Sequence, residues 1–324
     1  MSRRVVLSLG CLAAWMGLSI SSSTLRAEDI LTPQLAINRL AADQPAELRK
    51  QTLEQLREKK APEYKELIPL LTGMLEDADL ELRYEVIVTL GLQLKYHEQP
   101  CSLKLVQACF NSTEKQEEAI AVLGIFESFP KEAVPVFLEH VESENFMIRH
   151  SVMNFLGATS VSDEDVLLAL RKGTEDPDIL VRGNALVALA RVSDDYELVV
   201  PRWIPIIESF YDDGSDAAKS QLAATGTMMA LRRLGQQHPE EIGQVLMSLM
   251  DHESPEIRGP AARLLGAVAQ DNPESFRALK DLKADEAIRP LLRDPDATVR
   301  RNAALGLKHF RNGPRTEDAA RKEE

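Results

Sequence analysis

The sequence predicts an all-α protein built as an α-solenoid, a superhelix of about eight antiparallel helix pairs. Three observations lead to this fold class. Only 5% of the 324 residues are aromatic, while Leu, Ala and Val are frequent, and this composition suits helix packing better than a β-sandwich. A short phrase returns about every 33 residues along much of the chain. Each copy follows another helical segment, so helix, short turn and helix alternate.

The repeated phrase is an aliphatic residue, an arginine, a small residue three positions after it, and Leu-Gly or a close substitute seven and eight positions after it. Its five clear copies have their arginine at Arg83, Arg149, Arg182, Arg258 and Arg300. Weaker copies at Arg49 and Gln116 make the first four steps 34, 33, 33 and 33 residues. The 76 residues from Arg182 to Arg258 span two units, and the register of the copy between 212 and 235 stays open.

Another helix precedes the arginine helix in each unit. Clear examples occupy 62–75, 132–141, 163–173, 197–210 and 239–250, and several begin with proline or acidic residues, which suit a first helical turn. The turn between the two helices is short and rich in Asp, Ser and Pro. Asp178, Ser254 and Asp296 are therefore expected to cap arginine helices.

This arrangement resembles HEAT repeats, specifically the short kind seen in HEAT-like proteins related to phycobilin lyases, over about residues 30–311. The resemblance implies that each arginine joins a ladder with the turn aspartate of a neighbouring unit. The ladder would comprise Arg83, Arg149, Arg182, Arg258 and Arg300 with Asp79, Asp178 and Asp296. Because a bidentate arginine–carboxylate pair fixes the register of stacked units, these residues are interpreted as structural and not as an anion site.

The first 27 residues have the layout of a secretory signal peptide: a basic start, an apolar run from Val5 to Ile20 and a small polar stretch ending at Ala27. The run is shorter than the roughly 20 residues of a membrane span, so we expect cleavage after Ala27 and no membrane span in the mature chain. The protein is then periplasmic or extracellular. Retention as an anchor stays open, as does the twin-arginine export route that Arg3 and Arg4 resemble. Residues 28–311 would form the solenoid and 312–324 a disordered tail.

The formal net charge is −13, which repels phosphate backbones and disfavours nucleic acid as a partner. After signal cleavage the cysteines are Cys101 and Cys109. On one helix they would lie about 12 Å apart along the axis, too far for a disulfide. We expect two buried thiols and no metal site.

The sequence contains no Gly-rich phosphate loop, GxSxG, HExxH or CxxCH motif. A HEAT-repeat hydroxylase family binds two iron atoms through His-Glu pairs next to the arginine position, but the pairs His97-Glu98 and His252-Glu253 fall in the wrong phase. We therefore predict no catalytic residue, no cofactor, no metal and no enzyme activity. The alternative is an enzyme or enzyme-accessory protein, of the metal hydroxylase or lyase type, that uses the groove for a substrate.

Solenoid curvature places the second helices on a concave face, and positions one, two and five after the arginine are expected to look into it. The candidate partner-binding residues are Tyr84, Glu85, Glu118, His150, Asn154, Asn184, Arg301 and Asn302. The predicted function is a non-catalytic protein-binding scaffold or adaptor outside the cytoplasm. The partner's identity and the oligomeric state stay open.

Overall fold

The computed structural model describes residues 31–113, 115–193, 195–199, 201–202 and 230–314. Every regular element within these ranges is a helix, and no strand occurs in them. The predicted all-α solenoid is thereby confirmed. The chain divides into two compact units, Met1–Ser151 and Val152–Glu324.

The first unit is built from helix pairs in which a short first helix precedes a second one. The first helices are α1 (Pro33–Leu40), α3 (Ile68–Gly73, flanked by the 3-10 turns Pro62–Leu67 and Met74–Glu76), α5 (Leu103–Phe110) and α7 (Val134–Leu138, after the 3-10 turn Lys131–Ala133). The second helices are α2 (Ala46–Leu56), α4 (Leu80–Tyr96), α6 (Gln116–Leu123) and α8 (Phe146–Ala158, whose residues from Val152 belong to the second unit). Pro69 and Pro135 each stand in the first turn of their α-helix, where a missing N–H costs no hydrogen bond.

The second unit continues the alternation. Its helices are α9 (Glu164–Gly173), α10 (Ile179–Val192), α11 (Pro239–Leu249), α12 (Pro255–Asp271), α13 (Pro273–Asp281), α14 (Ala284–Ile288, followed by the 3-10 turn Arg289–Arg293) and α15 (Ala297–Asn312). Helix α13 is additional to the pair pattern, and a left-handed Lys283 (φ 56°) turns the chain from it into α14. This extra helix explains why the last repeat step is 42 residues long.

Seven of the predicted eight pairs lie in the described ranges. The remaining pair corresponds to the copy of uncertain register: residues 196–199, 201–202 and 230–237 are helical, and 203–229 lie outside the description. The predicted signal peptide 1–27 and residues 315–324 of the predicted tail lie outside it too. Helix α15 ends at Asn312, one residue beyond the predicted boundary, where Gly313 adopts a positive φ of 74°.

The repeated phrase encodes a buried ridge along each second helix. Positions −1, +3 and +7 relative to the arginine are spaced by four residues and therefore lie on one face. Val181, Ala185 and Leu189 of α10 are all fully buried. Of the twelve corresponding residues in the other clear copies, Leu307 is half-buried. The other eleven are at most 4% exposed: Leu82, Val86, Leu90, Ile148, Val152, Leu156, Ile257, Ala261, Leu265, Val299 and Ala303.

The glycine at position +8 sets how closely consecutive second helices approach. A Cβ added to Gly91 would lie 2.4 Å from Val122, one added to Gly157 would lie 2.7 Å from Ala188, and one added to Gly266 would lie 2.3 Å from the carbonyl oxygen of Gly306. Each of these neighbours stands at position +6 of the following repeat. The same +8 to +6 contact thus recurs within both units, and it needs a residue without a side chain.

No helix among the described residues is both long and apolar enough to cross a membrane.

Candidate functional site

The arginine of the repeated phrase closes the turn of its own repeat. In four of the five clear copies the Nη1 atom donates to the backbone carbonyls six and five residues earlier. The nitrogen–oxygen distances are 2.5–3.2 Å for Arg149, Arg182, Arg258 and Arg300. The charged group thereby satisfies carbonyls that neither helix of the pair can satisfy.

A second set of bonds joins one repeat to the next, and its carboxylate differs from the predicted one. Arg258 donates from Nε and Nη2 to Asp294 at 2.9 and 3.1 Å, a bidentate contact between side chains that are only 14% and 6% exposed. Arg49 of the weak first copy reaches Asp77 of the next repeat through Nη2 alone, at 2.6 Å. The carboxylate thus stands six residues before the next arginine, two residues earlier than the ladder expected.

The predicted ladder aspartates are helix caps. Asp79 accepts from the backbone N–H of Leu82 at 3.1 Å. Asp178 and Asp296 each accept from two backbone N–H groups in the first turn of their helix, at 2.7–3.4 Å. The capping prediction is therefore right for Asp178 and Asp296. Ser254 holds the N-cap position, but its hydroxyl donates to Glu256 and accepts no capping bond.

The pKa of Asp294 reflects the contact between repeats. The hydrogen bonds from Arg258 lower it below the ordinary value and outweigh burial, which would raise it. A backbone N–H from Asp296 also donates to the Asp294 carboxylate. The two carboxylates of the phrase Asp-x-Asp therefore have different roles. The first binds the arginine of the preceding repeat, and the second caps the helix. The sequence repeats this phrase at 77–79, 176–178 and 294–296, a signal that could have separated the roles.

Arg83 departs from the pattern of the other four arginines. Among the described residues its side chain donates no hydrogen bond and forms no ion pair within 4 Å, although its charge helps lower the pKa of Asp77. Its side chain instead lines a cleft of about 340 Å³ between the start of α4, helix α5 and the turn that follows α5. The cleft residues are Leu75, Glu76, Leu80, Glu81, Arg83, Tyr84, Ile87, Lys104, Gln107, Ala108, Asn111, Ser112, Thr113 and Lys115.

The predicted partner-binding residues of the first unit are held by neighbours from other repeats. Glu85 forms an ion pair with Arg57, the C-cap residue directly after α2. The Lys115 ammonium lies 4.4 Å from the centre of the Tyr84 ring. Burial and the nearby Glu118 carboxylate raise the pKa of Tyr84. These three predicted residues therefore share one polar region. Its basic members, Arg57 and Lys115, were missed because the surface prediction considered only positions one, two and five after the arginine, whereas they stand at positions +8 and −1 of the two weak copies.

His150, Asn154, Asn184 and Asn302 are half-buried, and Arg301 is exposed. Asn154 accepts from Arg191 of the next second helix at 3.3 Å. The amide nitrogen of Asn302 faces α12, so that a Cβ on Gly259 would lie 2.9 Å from it. Asn302 therefore packs between two repeats, while Arg301 is available to solvent.

The described residues include no group of three or more His, Cys, Asp or Glu side chains able to hold a metal ion. His97 contacts Gln93 at 3.2 Å, and the ring of His252 accepts from the backbone N–H of Ser254 at 3.0 Å, so both predicted out-of-phase histidines have local partners. Cys101 and Cys109 are free and buried, as predicted.

Comparisons with known proteins give one family. A family model described as HEAT repeats matches residues 102–190, which contain three consecutive helix pairs from α5 to α10. Two engineered proteins with crystal structures from the Northeast Structural Genomics Consortium are distantly similar. One is 18% identical over 89% of this chain and 80% of its own, with a TM-score of 0.48; the other is 17% identical over 88% and 98%, with a TM-score of 0.27.

Neither structural likeness is close enough to carry an argument. No curated protein matches the chain. The family match shows HEAT repeats at residues 102–190, and the recurring arginine, ridge and glycine contacts agree with this repeat architecture.

Proposed function

We propose that this chain is a non-catalytic scaffold that binds a partner protein outside the cytoplasm through the second helices of its repeats. The observation that carries the proposal is the set of bonds that hold polar side chains on these helices. Arg57 holds Glu85, Lys115 lies over Tyr84, and Arg191 holds Asn154. Side chains that are ordered before binding lose less conformational entropy when a partner docks.

The charge of the chain favours a protein partner over a nucleic acid. The formal net charge is −13, and an acidic protein repels the phosphate backbone of DNA or RNA at long range. HEAT-type stacking also offers an extended surface assembled from many neighbouring helices, which suits the recognition of another protein.

Site-specific photo-crosslinking in intact cells tests the scaffold proposal. A photoreactive amino acid is placed at Tyr84, in the polar region of the first unit, and at Arg277, an exposed residue of α13 that serves as the control. We expect a reproducible protein adduct from position 84 and none from position 277. Equal adducts from both positions, or none from either, would contradict a partner surface on the second helices.

Two further measurements address location and chemistry. Intact mass and N-terminal sequencing of the chain recovered from the cell envelope should give a mature protein that begins at Glu28. Elemental analysis of the purified chain separates the scaffold from the hydroxylase-type alternative, since stoichiometric iron or zinc would overturn the non-catalytic proposal.

A further inference from the structure

We propose that the cleft beside Arg83 binds an extended segment of a partner protein in which a carboxylate stands next to a large apolar side chain. The inference rests on the proposed scaffold function and names the chemistry of the segment that the scaffold would recognise. The cleft lies entirely within the first unit, between the second helix of one repeat and the first helix and turn of the next.

Arg83 supplies the reason to expect an acidic ligand. The equivalent arginines at 149, 182, 258 and 300 use Nη1 to close their own turn, as described above. Arg83 occupies the same position in the phrase, yet within the described part of the chain its guanidinium has no hydrogen-bond acceptor. A planar guanidinium matches a carboxylate through two parallel N–H···O bonds, and such charge-assisted bonds are the stronger ones.

The described charges of the cleft leave two cations without a paired carboxylate. Lys104 lies 3.6 Å from Glu76, and Lys50 pairs with Glu81, so both described carboxylates that line the cleft already face a cation. Arg83 and Lys115 have no carboxylate partner among the described ion pairs, although Lys115 also lies over the ring of Tyr84. In a chain of net charge −13, these two cations form a spot that attracts an anionic group.

The apolar part of the cleft selects against a bare anion. Leu80 is 42% exposed, and it lines the cleft together with Ile87 and Ala108. A volume of about 340 Å³ is at the lower end of the range of small-ligand sites, which is about 300–1,000 Å³. The cleft therefore has space for one or two side chains of a peptide, and phosphate alone would leave Leu80 exposed.

Selection from a displayed library of random peptides, followed by fluorescence polarisation, tests the inference on the full mature chain. The wild-type protein is compared with Arg83→Met, which keeps the aliphatic stem, and with Arg293→Met, an exposed arginine of the second unit that serves as the matched control. We expect enriched peptides to pair Asp or Glu with Leu, Phe or Trp. Arg83→Met should weaken their binding by about 10- to 100-fold, the loss expected for one charged hydrogen-bonding partner, and Arg293→Met should leave it unchanged.

Arg83→Met should fold normally, because no described hydrogen bond is lost, and an unchanged melting midpoint verifies this. Enriched peptides that bind Arg83→Met as tightly as wild type would overturn the assignment of the cleft while leaving peptide binding intact. Failure to enrich any peptide, together with a positive crosslink at position 84, would overturn the peptide inference but not the scaffold. Competition by millimolar inorganic phosphate that is as strong as competition by the peptide would also overturn it, because the apolar wall would then contribute nothing.

Discussion

Arg258 shows how one residue of the repeated phrase stabilises two repeats at once. Its Nη1 atom closes the turn before α12, while Nε and Nη2 bind Asp294 in the turn before α15. Arg182 makes the first kind of contact at 2.7 and 3.0 Å. The two arginines therefore separate the contribution of the turn from the contribution of the inter-repeat ion pair.

We expect Arg258→Met to lower the free energy of unfolding by about 3 kcal/mol, because it leaves the poorly exposed Asp294 carboxylate without its cation. Arg182→Met should cost less, about 1.5 kcal/mol, the lower end of the range for hydrogen bonds that involve a charged group. Urea denaturation followed by circular dichroism measures both. Equal losses for the two variants would mean that the pair with Asp294 adds nothing to the turn contacts.

Asp294 gives the same contact a dependence on pH. Its pKa is lowered in the folded protein, chiefly by the hydrogen bonds from Arg258. A carboxyl group of this kind stabilises the fold above its unfolded-state pKa of about 4, and the contribution is lost as pH falls through the lower folded-state pKa. Wild type should thus exceed Asp294→Asn in unfolding free energy by the largest amount near neutral pH. This difference should shrink as the solution is acidified below about pH 4.

Urea titrations at a series of pH values measure this difference. Asp178→Asn is a suitable comparison, since Asp178 caps a helix and its described bonds come from backbone N–H groups. A difference for Asp294→Asn that grows on acidification would contradict the lowered pKa.

At the scale of helices, the contact between position +8 and position +6 determines how second helices stack. Gly266 and Gly306 bring α12 and α15 so close that a Cβ on Gly266 would lie 2.3–2.7 Å from backbone atoms of Gly306. A backbone cannot move aside as a flexible side chain can. Packing against the next helix therefore requires glycine at this position. The helix itself does not, because glycine has a low helix propensity.

Gly266→Ala should destabilise the protein by about 1–3 kcal/mol, the usual cost of overpacking. Gly183→Ala is the matched control, because Gly183 stands within α10 and an added Cβ there would meet nothing within 4 Å. This second variant should be stabilised by about 0.5–1 kcal/mol through helix propensity alone. Thermal melts of both proteins give the comparison, and two shifts of the same sign would show that the close approach does not limit stability.

At the scale of the whole molecule, the architecture was predictable because the phrase encodes the core directly. Spacing by four places Val181, Ala185 and Leu189 on one buried face, and no long-range information is needed to recognise such a ridge. The extra helix α13 was not predicted, because a repeat search shows that the last step is longer but not which structure the additional residues form. The copy between 212 and 235, whose register the sequence leaves open, falls partly on residues 203–229, outside the described ranges.

The polar contacts were less predictable than the core. Asp294 and Asp296 are separated by one residue, and sequence alone does not tell which carboxylate reaches a neighbouring repeat. Arg83 fits the phrase as well as Arg258 does, yet its side chain lines a cleft and does not close its turn. The predicted surface counted half-buried residues such as Asn302 as free, whereas side chains of adjacent repeats pack against one another.

The absence of crosslinks in the described ranges gives a last prediction about the whole fold. Cys101 and Cys109 are 3% and 0% exposed, and burial raises the pKa of Cys101 to about 12 and that of Cys109 well above its ordinary value. The thiolate is the nucleophile that attacks a thiol reagent. A Cys11→Ser variant, which removes the remaining cysteine, should therefore react very slowly when native and through two thiols when unfolded in guanidinium. Its melting midpoint should not change with reductant, because packing between repeats, and not a disulfide, holds the first unit together. Rapid labelling of either thiol in the native protein, measured with a chromogenic disulfide, would mean that α5 opens locally far more easily than its buried position indicates.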